Sequence, residues 1–438
     1  MTRTVGEGAK KNSSEWVKTT NENGRVVYIK AHKDVQAATA HRMDRDLSDE
    51  TSYYYNTHVR NNANSDMEII DSIADFSMID PPYTQSKPFS EIKHESYNYI
   101  ADAYSTMEKL KENQDAAGLF RLYQDVALSE QYADMISSGF QKDAWKDKEY
   151  KDLFLDYRAF LAETIDYTYK INGGSNIVPE YTGDTLGKMH PVAQYKSGTR
   201  EWLESRQKGM GASDINAIIN TNSKYSAKNI VRVFKSKVEP ISEEEVMFQD
   251  ENNRDYRNTM NRGTAMEDFI ADVSIMSTPS QYEFLHDKRT WSGGHSDIVR
   301  INYDYMFDSN LGDNKHVDGT LEIKTASNFR GWGKDLESID SVSKSYRPQL
   351  LVQARMADMD YASIGVMVNE RDHRLYQIKM TDELRQEADE YIAAAEKFYN
   401  DCQEYKRTGV KPDIVIEAER QLEEQRRKWT ERNKNNNQ

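Results

Sequence analysis

Residues 318 to 327 read DGTLEIKTAS. Glu322 and Lys324 stand two apart in this apolar, β-type run, and a strand sends residues i and i+2 to the same face. Leu321, Ile323 and Thr325 then face a core, while a carboxylate and an ammonium share the other side. Two arrangements account for that: a solvated sheet edge, or a site in which a carboxylate holds a metal ion and a lysine handles a water. Glu-x-Lys recurs at Glu91 and Lys93, Glu149 and Lys151, and Glu404 and Lys406, where polar, helical surroundings make a solvated face the simple reading. Only the pair at 322 lies in a strand-like run preceded by a segment bearing Gly and Asp.

The elements that must position this pair are legible from periodicity. Residues 1 to about 60 are polar, with one strand signal at RVVYIKA, and the Pro and Ser residues of 79 to 90 read as a loop. From about 91 to 172, apolar and aromatic residues recur at spacings of three and four, which predicts helices. The segment NGGSNIVPEYTGDTLGKMHP breaks that rhythm and reads as a linker. Beyond it helices alternate with strands: TREWLESRQ as a helix, a Gly turn into a helix with Ser213 at its N-cap, a helix through GTAMEDFIADVSIM, and strands at YEFLH, DIVRINYDYMF and TLEIKTAS. YRPQLLVQARMADM then reads as a helix with Pro348 in its first turn, followed by strands ASIGVMVN and LYQIKM. Thr381 caps a long amphipathic helix that Gly409 ends. The expected division is a mostly helical accessory domain over 1–190, an α/β domain over 191–412, and a charged helical or disordered tail over 413–438.

Composition narrows the function. The chain of 438 residues is 37% hydrophobic, 30% charged and 11% aromatic, as for a rather polar soluble protein. No apolar run approaches the roughly 18 to 20 residues of a membrane span, and the N-terminus lacks an apolar signal core, so no membrane partner and a cytoplasmic location are expected. One cysteine, Cys402, excludes internal disulfides and thiolate metal clusters. A net charge of −15 argues against nucleic acid on average. Arg330, Lys334, Lys344 and Arg347 nevertheless give one part of the chain a local positive bias.

The segments WLESRQKGMGASDINAII, RGTAMEDF, TWSGGHSDIV and LEIKTA, in this order, resemble the lambda-type phage exonucleases, or YqaJ-like viral recombinases, of the PD-(D/E)xK nuclease superfamily, over about residues 195 to 400. The resemblance implies a restriction-endonuclease-like α/β fold, a mixed central sheet flanked by helices. It implies a Mg²⁺-dependent 5′→3′ exonuclease on double-stranded DNA ends, with Mn²⁺ as a substitute, a homotrimeric ring, host-cytoplasmic location if phage-encoded, and a single-strand annealing protein as partner. Mg²⁺ takes oxygen ligands and keeps several waters, so a few carboxylates suffice. Glu322, one Asp, Glu267 and the carbonyl of Ile323 are the implied ligands, with Lys324 on the attacking water. For the Asp, Asp297 fits the family pattern, six residues after Trp291; Asp304, nearer Glu322 in sequence, is its rival. Asp308 and Asp313 read as turn residues.

Arg206 and Ser213, seven apart across the Gly turn, match the residues with which that family grips a 5′ phosphate, and a helix N-terminus suits an anion. Without the resemblance, Ser213 as a cap and Arg206 paired with a surface carboxylate serve as well. Gln349 and Gln353, one helical turn apart, are expected to contact DNA or water, or else to form a half-exposed polar stripe. His295, two before Asp297, stands where the family often has a phosphate-binding Ser. The alternatives are an endonuclease or RecB-like end-processing enzyme on the same fold, and a non-catalytic phage DNA-binding or structural protein.

Overall fold

The computed structural model describes residues 87–141, 143–172, 178, 180–195, 199–219, 226–242, 255–278, 282–308 and 317–436, together with two short strands near the N-terminus. Those strands, Trp16–Thr20 (β1) and Val26–Lys30 (β2), pair antiparallel. The loop expected over 79 to 90 lies mostly outside the described residues, and Phe89 already opens a helix.

The predicted helical stretch is four helices: Phe89–Glu112 (α1), Ala116–Ala127 (α2), Glu130–Ser138 (α3) and Lys148–Ile171 (α4). The last three start where short polar side chains satisfy free backbone amides, whereas α1 follows Pro88 with no side-chain cap. Asp115 accepts from the Gly118 amide at 2.8 Å and Ser129 from that of Tyr132 at 3.1 Å. Strand Met189–Ala193 (β3) follows, across the expected boundary at 190, and then helix Arg200–Gln207 (α5), strand Met210–Gly211 (β4), and helices Ala212–Ile219 (α6), Ser226–Val238 (α7) and Thr259–Met276 (α8). Ser213 therefore lies inside the first turn of α6 and is not its N-cap.

Strands Glu283–His286 (β5), Thr290–Gly293 (β6), Ser296–Asn302 (β7), Tyr305–Asp308 (β8) and Gly319–Ala326 (β9) come next. Helix Arg347–Met356 (α9), strands Tyr361–Val368 (β10) and Asp372–Lys379 (β11), and helices Asp382–Thr408 (α10) and Asp413–Asn436 (α11) complete the chain. Pro348 sits in the first turn of α9, and Gly409 ends α10 in the left-handed region, φ 76°. Asp308, read as a turn residue, is buried and closes β8; Asp313 lies outside the described residues.

Apart from the β1–β2 pair, the described residues form a mixed α/β architecture with two sheets, ordered β11-β10-β9-β8-β5 and β3-β6-β7-β4. Only β9 and β10 run parallel in the larger sheet, their crossover passing through α9. The run DIVRINYDYMF, read as one strand, is broken at Tyr303 and Asp304, so β7 belongs to one sheet and β8 to the other.

Alternation along β9 and β10 feeds two apolar clusters. Leu321 and Ile323 pack with Met266, Phe269 and Val273 of α8 and with Leu119, Phe120, Phe160 and Ile165 of the N-terminal helices. Ile364 and Val366 pack with Leu350 and Leu351 of α9, Ile215 of α6, and Ile392 and Phe398 of α10. The N-terminal helices thus share one cluster with the sheet, and α11 joins the other through Val415 and Ala418.

Helix α8 approaches β10 so closely that a Cβ on Gly365 would stand 2.2 Å from Ser274 Oγ and 3.4 Å from Ile323 Cδ1. Gly365→Ala is expected to lower unfolding free energy by about 1–3 kcal/mol, the usual range for overpacking. Ser274→Ala in the same chain should recover part of that loss, as read by chemical denaturation.

Candidate active site

Strand β8 pairs with β9 through Tyr305 and Leu321, Met306 and Thr320, and Phe307 and Gly319, and goes no further. The next residue back, Asp304, lies opposite Glu322 but has left the ladder. Its carboxylate accepts from the Ile323 amide at 2.9 Å, replacing a strand carbonyl. The corner is fastened to α9, since the Tyr303 hydroxyl donates to the Gln353 carbonyl at 3.0 Å. Beside β9 this leaves an opening that residues from both faces of the sheet reach.

Four charged side chains converge there. Glu322, only 3% exposed, forms the floor. Lys324 donates to the Glu322 carboxylate and, at 3.0 Å, to the Ile323 carbonyl. Glu267 enters from α8, whose Gly263 lies over Thr325, and interacts with Lys324 and Glu322. Asp304 feels both Glu322 and Glu267.

Three carboxylates meet one ammonium in a poorly solvated place, which disfavours the charged forms of Glu267 and Asp304. Burial pushes Glu267 up to about 7, Lys324 opposing and Asp268 and Glu322 adding to the rise. Burial first, then the charges of Glu322 and Glu267, holds Asp304 well above the usual carboxylate range. For Lys324 burial works against the charge, but Glu322 and Asp304 outweigh it, so the ammonium is held above its ordinary value.

Gln349 and Gln353 do not line a DNA surface. They are 7% and 1% exposed, and their amides donate to the two oxygens of Glu322 at 2.5 and 2.6 Å. The one-turn spacing that suggested a polar stripe aims both inward, because α9 lies against the Glu322 face of the sheet.

Asp297 does not join the cluster. It is exposed near the start of β7, where its carbonyl accepts from the Ser292 hydroxyl at 3.1 Å. Seven residues of largely extended chain, roughly 20 Å at the usual rise, separate it from Asp304. The aspartate that stands with Glu322 is Asp304, because Asp297 lies on β7 in the smaller sheet and the chain crosses to the larger sheet, beside β9, only at Tyr303 and Asp304. His295, likewise remote, is bonded to Asp358 at 2.8 Å.

Arg206 and Ser213 are brought together: the guanidinium donates to Ser213 Oγ at 3.2 Å and lies 4.8 Å from the ring of Trp202. Arg206 also pairs with a carboxylate, but a buried one, Asp214, at 3.4 Å. Asp214 accepts from the Gly211 amide at 3.3 Å and from Lys237, 1% exposed, at 2.8 Å. Burial works against its charge, yet Lys237 and Arg206 hold it well below the usual range. Sequence reading passed over Asp214 and Lys237, whose pairing across 23 residues has no local signature. It also passed over Asn216, one turn after Ser213 on α6, whose side-chain oxygen accepts from the backbone N–H of Gln349 at 3.1 Å. Through Asn216 the Gly-turn motif is tied to the helix that grips Glu322. The only local sign was a polar residue within the apolar run INAII.

Of the four cations that gave the local positive bias, Arg347 is engaged by Glu387 at 2.6 Å and Asp340 at 2.8 Å. Arg330 and Lys334 are exposed on the loop leading away from β9. Tyr346, at the end of that loop, places its ring 5.9 Å from Lys324 Nζ and stacks on Trp332.

The donor set suits a hard divalent cation: carboxylate oxygens of Glu267, Asp304 and Glu322, and one backbone carbonyl. Among the described residues, no three carboxylate, histidine or thiol groups already close on one ion position. Glu322 instead has both oxygens bonded to neutral amides, and one also to the ammonium.

Such a constellation, at the broken edge of a mixed sheet, defines a carboxylate and lysine site on an α/β fold. Residues 201–360, which carry Arg206, Ser213, Glu267, Asp304, Glu322, Lys324, Gln349 and Gln353, match the YqaJ-like viral recombinase domain family, so the resemblance seen in the sequence is shown for that segment. No curated protein and no solved structure matches the chain.

A carboxyl whose folded pKa is raised binds its proton more tightly folded than unfolded. The stability this confers is present at low pH and is lost as pH rises through about 7 for Glu267. In metal-free buffer Glu267→Gln is therefore expected to be more stable than the wild type at pH 8, with the gap shrinking at pH 5. Denaturant titrations at the two pH values read the difference.

Proposed function

We propose that this protein is a metal-dependent deoxyribonuclease with a restriction-endonuclease-like core, a 5′→3′ exonuclease acting on double-stranded DNA ends in phage-type recombination. The observation that carries this reading is the convergence of Glu267, Asp304, Glu322 and Lys324 where β8 leaves β9. The match of residues 201–360 to a viral recombinase domain supports the recombination setting.

Mg²⁺, with Mn²⁺ as substitute, would be held by Glu267, Asp304, Glu322 and the Ile323 carbonyl. When bound, it lowers the pKa of water and neutralises charge on the phosphate. The chain's own residues do the rest. Gln349 and Gln353 fix the orientation of Glu322 while leaving it charged, a role that second-layer donors commonly play around metal ligands. Lys324, held in its charged form by Glu322 and Asp304, orients the attacking water and stabilises developing negative charge; its raised pKa makes it a poor base. Arg206 and Ser213 receive the 5′-terminal phosphate, and the Asp214 and Lys237 pair behind them keeps the guanidinium in place.

The exposed Arg330 and Lys334 would carry the duplex toward Lys324, which reconciles a DNA substrate with a net charge of −15. A homotrimeric ring around DNA and a single-strand annealing protein are the assembly and partner that go with this activity. Among the described residues no helix is long and apolar enough to cross a membrane.

The test is digestion of linear, 5′-phosphorylated duplex DNA in Mg²⁺, with a closed circular control. The wild type should degrade the linear duplex alone. Lys324→Ala and Asp304→Asn should each lower the rate by a factor of at least about a hundred, a usual scale for losing one charge-stabilising group. Asp297→Asn should retain wild-type activity. Cutting of the circle would assign an endonuclease instead, and loss of activity in Asp297→Asn with retention in Asp304→Asn would refute the site.

Arg206→Ala is expected to reduce the preference for 5′-phosphorylated over 5′-hydroxyl ends by about tenfold or more, as for loss of a charge-assisted hydrogen bond. Initial rates on the two substrates give the ratio.

A further inference from the structure

The tip of the β10–β11 hairpin is buried, which is unusual for a turn. Asn369, Glu370 and Arg371 are 3%, 0% and 2% exposed, and the first two have left-handed backbone, φ 54° and 55°. The N-terminal helices cover this tip. Tyr123 of α2 donates to the Glu370 carbonyl at 2.6 Å, and Tyr132 of α3 to that of Asn369 at 2.7 Å. Arg158 of α4 grips the Glu370 carboxylate with two bonds, 2.5 and 2.7 Å.

Two further contacts connect this buried carboxylate to the candidate active site. Arg262, in the first turns of α8 and five residues before Glu267, lies 3.6 Å from Glu370 Oε1. The same guanidinium donates to the carbonyls of Tyr256 and Arg257 at 3.2 and 2.6 Å, so it also fixes the entry to α8. On the other side Arg158 reaches the Ala326 carbonyl at 3.4 Å, and the Asn369 amide donates to that same carbonyl at 2.9 Å. Ala326 ends β9, two residues after Lys324.

We infer that Arg158, Glu370 and Arg262 are positioning residues that set α8 against the end of β9, so that the N-terminal helices determine where Glu267 stands relative to Glu322 and Lys324. The helices before residue 172 are then a built-in part of the site and not a detachable docking module. An ion pair this deeply buried is weak support for stability but enforces one geometry, because any shift of α8 would strand a charge away from water. As its metal-binding readout depends on the nuclease reading, the inference is given a second readout that does not.

The experiment uses the full chain and compares the wild type with Glu370→Gln, Arg158→Lys, and the doubly neutral Arg158→Met with Glu370→Gln. Mn²⁺ binding is measured by electron paramagnetic resonance, and amide hydrogen exchange is followed over residues 259–268. The double variant leaves no unpaired buried carboxylate; if it does not fold, Glu370→Gln, isosteric with the native side chain, carries the comparison. The expected result is a folded variant with Mn²⁺ affinity lowered about tenfold, the lower end for lost second-layer support. Exchange over 259–268 should be faster, with Arg158→Lys intermediate in both. A folded variant with wild-type exchange at 259–268 and wild-type Mn²⁺ affinity would overturn the inference. If the wild type takes up no Mn²⁺, the nuclease reading fails, and exchange alone decides the positioning.

Discussion

The Ile323 amide has no strand carbonyl to meet, and the Asp304 carboxylate takes its place. Much of the site follows from that substitution. A backbone N–H buried without a partner is costly, so the strand can part from its neighbour here only because a side chain supplies the acceptor. With β8 turned away, the edge of β9 beyond Leu321 is open. Residues that a continuous sheet would keep on opposite faces, Glu267 from α8 and Glu322 above α9, can then approach each other.

The opening concentrates like charges, and the surrounding structure tolerates them in distinct ways. Lys324 offsets part of the charge directly. Gln349 and Gln353 satisfy Glu322 without neutralising it, so the carboxylate stays hydrogen-bonded while its charge remains available. Glu267 and Asp304 are pushed toward their protonated forms. In the metal-dependent reading proposed above, a divalent cation would offset this excess of carboxyl groups. Perturbed carboxyls clustered in a cleft are a frequent mark of function for this reason.

The apolar clusters on the two sides of the sheet hold this arrangement between them. The N-terminal helices, which lie outside the family match, pack directly on α8 and on Leu321 and Ile323. On the opposite side α6, α9 and α10 back the Glu322 face, and Asn216 ties the Arg206 and Ser213 motif to it. The two sites proposed to bind phosphate groups, at the Gly turn and at Lys324, are therefore set on elements packed against one another and not on independent loops.

Much of the architecture was legible locally. Spacings of three and four predicted α1 to α4, Thr381 and Gly409 bounded α10, and the alternation in LEIKTA put Leu321 and Ile323 in a core with Glu322 on the other face, because these follow from neighbours in the chain. The Glu-x-Lys pair and the spacing of Arg206 and Ser213 were visible for the same reason. Sequence weighed Asp297 and Asp304 and preferred the wrong position for the cluster, since the break between β7 and β8 depends on which sheet each half joins. It likewise turned Gln349 and Gln353 outward, because helical spacing says which residues share a face but not what that face meets. The pairing of Asp214 with Lys237, and of Glu370 with Arg158 and Arg262, joins residues far apart in the chain. Local pattern determined the elements and one side of the chemistry; only the packing of those elements, which settles where charge can be buried and satisfied, decided the composition of the site.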